Sequence, residues 1–289
     1  MSGFSIGLYS KLKNIDAKIA YKELLERECF SPDRSKIQIS PVNEIADIDT
    51  RDTVYRDFLN MLKLEPHHRH YLNSIGFLNS TIDNQMYRTI PTKYIKRRLI
   101  GNALKKKHSL ASIPGFYQEE DWGWTFTHVK GIFIPLFDEN NKIQALSMHL
   151  DKPFGETTDI WFSSSGKING TGTKNWTCKY NIVQDTKTVI ITDNLLLCNL
   201  IKDILNVPII AFSNITSSYQ ILKEIDNTNI QNIIFAFKPS NHPNMDYIIR
   251  RVYRDLLPLG YNLEIKTVGH YKNILDDNFL DLFKFKQTI

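Results

Sequence analysis

Three stretches of this 289-residue chain have residue types and spacing suited to chemistry. One is a pair of strand ends: Asp193-Asn194 follows the apolar run Val189-Ile190-Ile191-Thr192, and Lys238-Pro239-Ser240 follows Ile230 to Phe237. In open α/β sheets ligands bind beyond the carboxyl ends of the strands, and both groups fall there. The second stretch is basic. From Asn84 to Gln118 no acidic residue occurs, and the interval holds Arg88, Lys93, Lys96, Arg97, Arg98, Lys105, Lys106 and Lys107 among Tyr87, Tyr94, Phe116 and Tyr117. A merely solvated helix mixes charge signs in i,i+4 pairs, whereas a run without acids suits phosphates. The third stretch is His67-His68-Arg69-His70. Neighbours at i and i+1 do not share a helix face, so at most His67 and His70 converge. With no carboxylate or Cys at ligand spacing, no metal is expected there.

The elements that must position these groups follow from periodicity. Val189–Thr192, Ile209–Phe212, Ile230–Phe237 and Asn262–Val268 read as strands. Helical runs at Leu195–Leu205 and Ser217–Ile225, and a helix from Pro243, alternate with them. Strands that are apolar throughout are those of a parallel sheet covered on both faces, so the fold class is α/β. Upstream, Gly131–Phe137 and Lys142–His149 flank a polar turn and read as an antiparallel hairpin, with a further strand at Ile160–Ser165. Thr53–Leu64 reads as a helix after an irregular connector from Ser35 to Thr50, and Pro66 opens a second helix that Gly76 stops. The basic helix runs from Thr92 to about Lys107, with Ile95, Leu99 and Ala103 as its buried stripe and Lys96, Arg97 and Lys105–Lys107 outside. Gly170-Thr171-Gly172 offers backbone N–H groups, but no following helix and no Lys-Ser/Thr pair makes it a Walker-type loop. The N-terminal helix, with Ile15, Ile19, Leu24, Leu25 and Cys29 near helical spacing, either packs on its own domain or docks a partner.

Composition narrows the class further. With 42% hydrophobic residues the chain can bury a core, and its net charge of +5 attracts polyanions only because the basic residues are concentrated. No run approaches a membrane span, and the first 30 residues lack a signal-peptide core, so a cytoplasmic location is expected. Cys29, Cys178 and Cys198 are far apart and form neither a disulfide framework nor a zinc ribbon.

The order of strand, acidic residue, helix, strand, helix and strand resembles the Toprim domain of primases and topoisomerases. In that family the first strand ends in Glu-Gly and the later one in Asp-x-Asp, which together hold magnesium. Here Asp193-Asn194 and Lys238-Pro239-Ser240 stand at those positions. The Gly131–Asp138 hairpin, the Ser-rich strand end and the Gly-rich loop look like the segment before the Toprim core of bacterial replicative primases. Tyr55-Arg56, Pro114–Tyr117, Trp161–Ser164 and Asp276-Asp277 are similar to motifs of stand-alone Toprim-like proteins of Gram-positive mobile elements. There are departures. His149 replaces an arginine at the hairpin end, Asp159 replaces a lysine before the Ser-rich strand, and the Cys/His zinc module that precedes primase cores has no counterpart. The resemblance implies an N-terminal helix and connector over 1–52, a mixed α+β primase-core-like subdomain over 53–180, and a Toprim-like domain over 181–289.

Magnesium takes oxygen ligands, commonly one or two carboxylates. Asp193 supplies one; Lys238 in place of another would oppose a divalent ion by on the order of 8 kcal/mol at about 4 Å and an effective dielectric near 20. Lys238 beside a helix starting at Pro243 suits a phosphate instead, or an ion pair with Asp193. No cofactor is therefore expected, and Asp193, Lys238 and Ser240 mark vestigial positions. Magnesium would enter only if displaced acids such as Asp246, Asp276 or Asp277 rebuilt the site. The functional expectation is an accessory primase-like replication protein of a mobile element or phage, binding single-stranded DNA and/or a helicase or polymerase. Two alternatives remain: an active metal-dependent primase or nuclease, and a pure interaction protein acting on replication or defence machinery.

Overall fold

A computed structural model describes residues 13–15, 44–120, 122–154, 157–205, 207–212, 218–225, 228–237 and 243–267, with backbone alone at 203–205, 218–219, 237, 243–248 and 266–267. Backbone contacts divide the chain into Met1–Pro41 and Val42–Ile289, and every β-strand of the described residues belongs to the second unit. The expected N-terminal helix beyond Ile15, the Lys238-Pro239-Ser240 sequence and the Asp276-Asp277 pair lie outside the described residues. Among the described residues no helix is long and apolar enough to cross a membrane.

The second unit begins with α1 (Ile48–Asn60), five residues earlier than periodicity suggests. Asp47 sets the start, because its carboxylate accepts the Thr50 N–H at 2.9 Å and the Thr50 hydroxyl at 2.7 Å. Those two bonds also hold the Asp47 carboxyl below the usual range. Helix α1 turns Val54, Tyr55, Phe58 and Leu59 inward. Phe58 lies 4.8–5.7 Å from the rings of Phe116, Phe126, Phe133 and Phe162, mostly edge to face. Tyr55 donates to the Pro114 carbonyl at 3.0 Å, so the Tyr55-Arg56 and Pro114–Tyr117 motifs meet in one buried contact.

After α1 come α2 (Pro66–Ser74), stopped by Gly76 at φ 108°, α3 (Asn79–Asn84) and β1 (Arg88–Thr89). Helix α4 (Tyr94–Lys105) follows, then the hairpin of β2 (Phe116–Glu119) and β3 (Gly123–Phe126). The expected hairpin is present as β4 (Gly131–Phe137) and β5 (Ile143–Phe154), and β6 (Thr157–Trp161) completes an antiparallel sheet of order β1-β4-β5-β6. Strand β4 is buried along its whole length. Ile132, Ile134 and Leu136 face one cluster, while Phe133 and Phe137 join the Phe58 cluster.

The chain then builds a second sheet from β7 (Thr177–Tyr180), β8 (Thr188–Thr192), β9 (Ile209–Phe212), β10 (Asn232–Phe237) and β11 (Asn262–Thr267). Its order is β11-β10-β8-β9-β7, parallel apart from the antiparallel edge strand β7. Helix α5 (Leu195–Leu205) covers the face of Ile190, Ile209 and Ile234, which shares its cluster with Ile132 and Ile134 of β4. Helices α6 (Ser218–Ile225) and α7 (Pro243–Leu256) cover the face of Val189, Ile191, Ile210 and Phe235. This is the mainly parallel α/β sheet expected from unbroken apolar strands, preceded by a mixed α+β part.

The buried stripe of α4 departs from expectation. Ile95 and Leu99 are 70% and 67% exposed, so they line no core, while Arg97, Ile100, Gly101 and Leu104 are buried. The cause is a close approach of backbones: a Cβ on Gly101 would lie 2.4 Å from the Trp124 carbonyl oxygen, so the helix turns Gly101, not Leu99, toward β3. Arg97, expected outside, is carried inward with that face.

Gly101→Val should therefore lower stability by about 1–3 kcal/mol through overpacking, whereas Leu99→Ala should stay within about 0.5 kcal/mol. Urea midpoints of the two variants check this; a loss of about 2–5 kcal/mol in Leu99→Ala would instead mark a core residue.

Candidate nucleic-acid interface and acidic cleft

The outer face of α4 carries Lys93, Lys96, Lys105, Lys106 and Lys107, all exposed. Arg98 is built into a stack. Its guanidinium lies 4.3 Å from the Trp122 ring centroid and 5.2 Å from that of Tyr94, and Nε donates to the Trp122 carbonyl at 3.2 Å. Such cation–π contacts are worth about 0.5–1 kcal/mol each at exposed sites, enough to favour one orientation of a long side chain. Trp122 and Tyr94 remain 54% and 40% exposed, leaving ring surface for a further planar group. Asn102 fixes the turn beneath them: its Oδ1 accepts the Trp124 N–H at 2.8 Å, next to Gly123 at φ +77°. The sequence offers Tyr94, Trp122 and Trp124 as stacking surfaces beside the lysines; Tyr94 and Trp122 are exposed, Trp124 is buried, and the place of Arg98 against both exposed rings depends on a turn 24 residues further on.

Two predicted phosphate ligands do other work. Arg97 is 5% exposed and donates to the Thr92 carbonyl. Arg88 donates to the carbonyls of Leu59 at 3.1 Å and Tyr87 at 2.8 Å, and its half-burial lowers its pKa. Both brace the fold. Lys238 is outside the described residues, and so is Ser240. The Gly-rich loop is also internally committed: Ser164 Oγ accepts the Thr171 N–H at 2.9 Å, and the N–H groups of Lys167 and Gly170 go to the carbonyls of Ser164 and Lys167. Those amides are spent on the loop itself.

A polar cleft lies where the antiparallel sheet meets the end of β8. Asp193 and Asp159 both line a cavity of about 170 Å³ with Ser147, Thr158 and Trp161. Asn194 does the capping expected of the pair, accepting the Leu197 N–H at 2.9 Å through Oδ1. His149 and Asp159, the two departures from the primase pattern, are bonded to each other, with Nδ1 to Oδ1 at 2.9 Å. This follows from register, since His149 on β5 is the Cα partner of Asp159 on β6. The other Asp159 oxygen accepts the Thr158 hydroxyl at 2.6 Å, and His149 Nε2 meets the Tyr71 hydroxyl at 2.9 Å. Burial and the Asp159 carboxylate push the Tyr71 hydroxyl up to about 12.

Among the described residues the donor set falls short of the magnesium site that the resemblance implies. Asp193 stands where the resemblance expects a ligand, Asp159 has both oxygens engaged in hydrogen bonds, and among the described residues no third carboxylate lines the cavity. The side chain of Asp246 is not among those described.

A second cavity, of about 480 Å³, shares Thr158 with the first and is lined by Tyr71, His149, His67, His68 and Asp151. His68 is 5% exposed; its Nδ1 meets the Thr89 hydroxyl at 2.7 Å and its Nε2 the Asp151 carboxylate at 2.8 Å. Burial lowers its pKa, and Asp151 opposes that shift in part.

No family model matches the chain, and no curated protein is significantly similar to it in sequence. Solved structures are similar in fold. The zinc-binding and RNA polymerase domains of the Aquifex aeolicus primase align over 96% of this chain and 69% of that one, at 11% identity and a TM-score of 0.58. A DNA primase domain from Pseudomonas aeruginosa aligns over 81% of this chain and 77% of that one, at 13% identity and a TM-score of 0.58. The RNA polymerase domain of Mycobacterium tuberculosis primase DnaG, in complex with a double-stranded DNA oligomer with a 6-nucleotide overhang, aligns over 82% and 79%, at 9% identity and a TM-score of 0.58. The chain has a primase-core-like fold.

If the His149–Asp159 bond couples the two strands in solution, His149→Ala, Asp159→Ala and the double variant should be non-additive by about 0.5–3 kcal/mol. Denaturant titrations of the three measure it; additivity within about 0.5 kcal/mol would mean that the bond contributes nothing.

Proposed function

We propose that the chain is an accessory primase-like replication protein of a mobile element or phage. It binds single-stranded DNA along the outer face of α4, and its Toprim-like domain does not carry out two-metal chemistry. The carrying observation is Arg98 held between Tyr94 and Trp122 on a helix whose exposed charges are all cationic. A nucleic-acid strand needs cations to follow its phosphates and flat surfaces for its bases, and this face supplies both within one helix and one turn. Exposed Ile95 and Leu99 add apolar surface beside the cations. The DNA held by the Mycobacterium tuberculosis neighbour supports nucleic acid as the ligand class.

The loss of metal chemistry is supported by the engagement of Asp159 with His149 and Thr158, and by Lys238 standing in the sequence where the family has a carboxylate. A cation there also suits a phosphate. The mobile-element subtype rests on the order of Tyr55-Arg56, Pro114–Tyr117, Trp161–Ser164 and Asp276-Asp277.

Fluorescence anisotropy with a labelled oligothymidylate tests the reading. The logarithm of the binding constant should fall linearly with the logarithm of salt concentration, with a slope of about −0.7 per phosphate neutralised. The triple charge reversal Lys96→Glu, Lys105→Glu, Lys106→Glu should flatten that slope, and Trp122→Ala should cost about 1–3 kcal/mol if a base stacks there. A salt-independent affinity, or one untouched by the triple variant, retires the proposal.

A further inference from the structure

We infer that His67, His68 and Asp151 form a binding site for one divalent metal ion of the zinc class, with an open coordination position facing the cavity beside Tyr71 and His149. One potential ligand atom from each of the three residues lies within 4.8 Å of the others. Spacing along the sequence expects His67 and His70, not His67 and His68, to converge; the structure pairs the two neighbours instead, and the third member comes from β5, 83 positions from His68. Asp151 is held by the backbone, its N–H donating to the Lys130 carbonyl at 3.0 Å. His67 and His68 sit in the first turn of α2, where Pro66 fixes the entry, and their rings approach to 4.0 Å between centroids.

His68 has the surroundings of a ligand. Metal-bound imidazoles use one ring nitrogen for the ion and anchor the other to a neighbouring polar group. Here Nδ1 is anchored to Thr89 Oγ1, which itself accepts the Glu65 N–H at 2.8 Å, and Nε2 points at Asp151 Oδ1. In that arrangement a proton bridges the imidazole and the carboxylate; an ion would replace it, bonded to both. His67 is exposed, so its ring can close the last distance by a rotamer change.

The donor types select the metal. Two imidazole nitrogens and one carboxylate suit zinc, cobalt or nickel and disfavour magnesium, which prefers oxygen ligands. Three protein ligands leave zinc short of four, so a water or another oxygen ligand would complete the set from the cavity side, where Tyr71 and His149 lie. The N-terminal end of α2 opposes a cation, but this contribution is small beside direct carboxylate ligation. None of the three ligands lies on α4, so the metal site is independent of the nucleic-acid face.

The test is calorimetric titration of the full chain, stripped with chelator, with zinc chloride, together with visible absorption on adding cobalt(II). One ion per chain and cobalt bands of four- or five-coordinate intensity are expected. His67→Ala and Asp151→Asn, both at exposed positions, should each weaken zinc binding at least tenfold and remove the cobalt bands, with unchanged circular dichroism. His70→Ala, an exposed histidine of the same helix outside the cluster, should bind as the parent does. Absence of stoichiometric binding at micromolar zinc overturns the inference. So does binding that survives both cluster variants or is lost equally in His70→Ala.

Discussion

Burial of β4 on both faces is the constraint from which the rest of the architecture follows. A strand with water on one side alternates apolar and polar residues; β4, Gly-Ile-Phe-Ile-Pro-Leu-Phe, does not alternate and cannot face water at all. Its odd positions feed the aromatic cluster around Phe58, and its even ones feed the cluster shared with α5 and β8. The antiparallel part and the parallel sheet are therefore joined through the two sides of one strand. The cleft beside Asp193 lies along that junction, because β5 pairs with β4 on one side and with β6 on the other.

Within the cleft, two departures from the primase pattern make sense only together. The two positions are Cα partners across β5 and β6, so a change at one is felt by the other. As they stand, His149 and Asp159 bond to each other, Tyr71 meets the other ring nitrogen of His149, and Thr158 donates to the other oxygen of Asp159. Buried polar groups persist where each has a partner, and this set does. The cleft keeps a polar lining, and the carboxylate at 159 is tied up by the residues around it.

The inward face of α4 carries Arg97 and its outward face the exposed lysines, while Arg88 lies on β1. Arg88 and Arg97 point at carbonyls of their own domain, so positive charge along the sequence overstated the charge available on the surface. What the face lost in cations it gained in shape, through the Arg98 stack and exposed Ile95 and Leu99.

The sequence by itself determined the strands of the parallel sheet, the β4–β5 hairpin, the Pro66 start and Gly76 stop of α2, and the acid-free character of α4. Each of these is a local matter of periodicity, backbone preference or composition, and residues a few positions apart carry it. Tertiary structure alone decided which way α4 turns, because Gly101 must meet Trp124, and which cations reach solvent. It also decided that His149 would find Asp159, and that His67 and His68 would find Asp151. Those outcomes depend on strand register and on the approach of backbones from separate elements: His149 and Asp159 are only 10 positions apart but meet through the pairing of β5 with β6, and His68 and Asp151 are 83 positions apart.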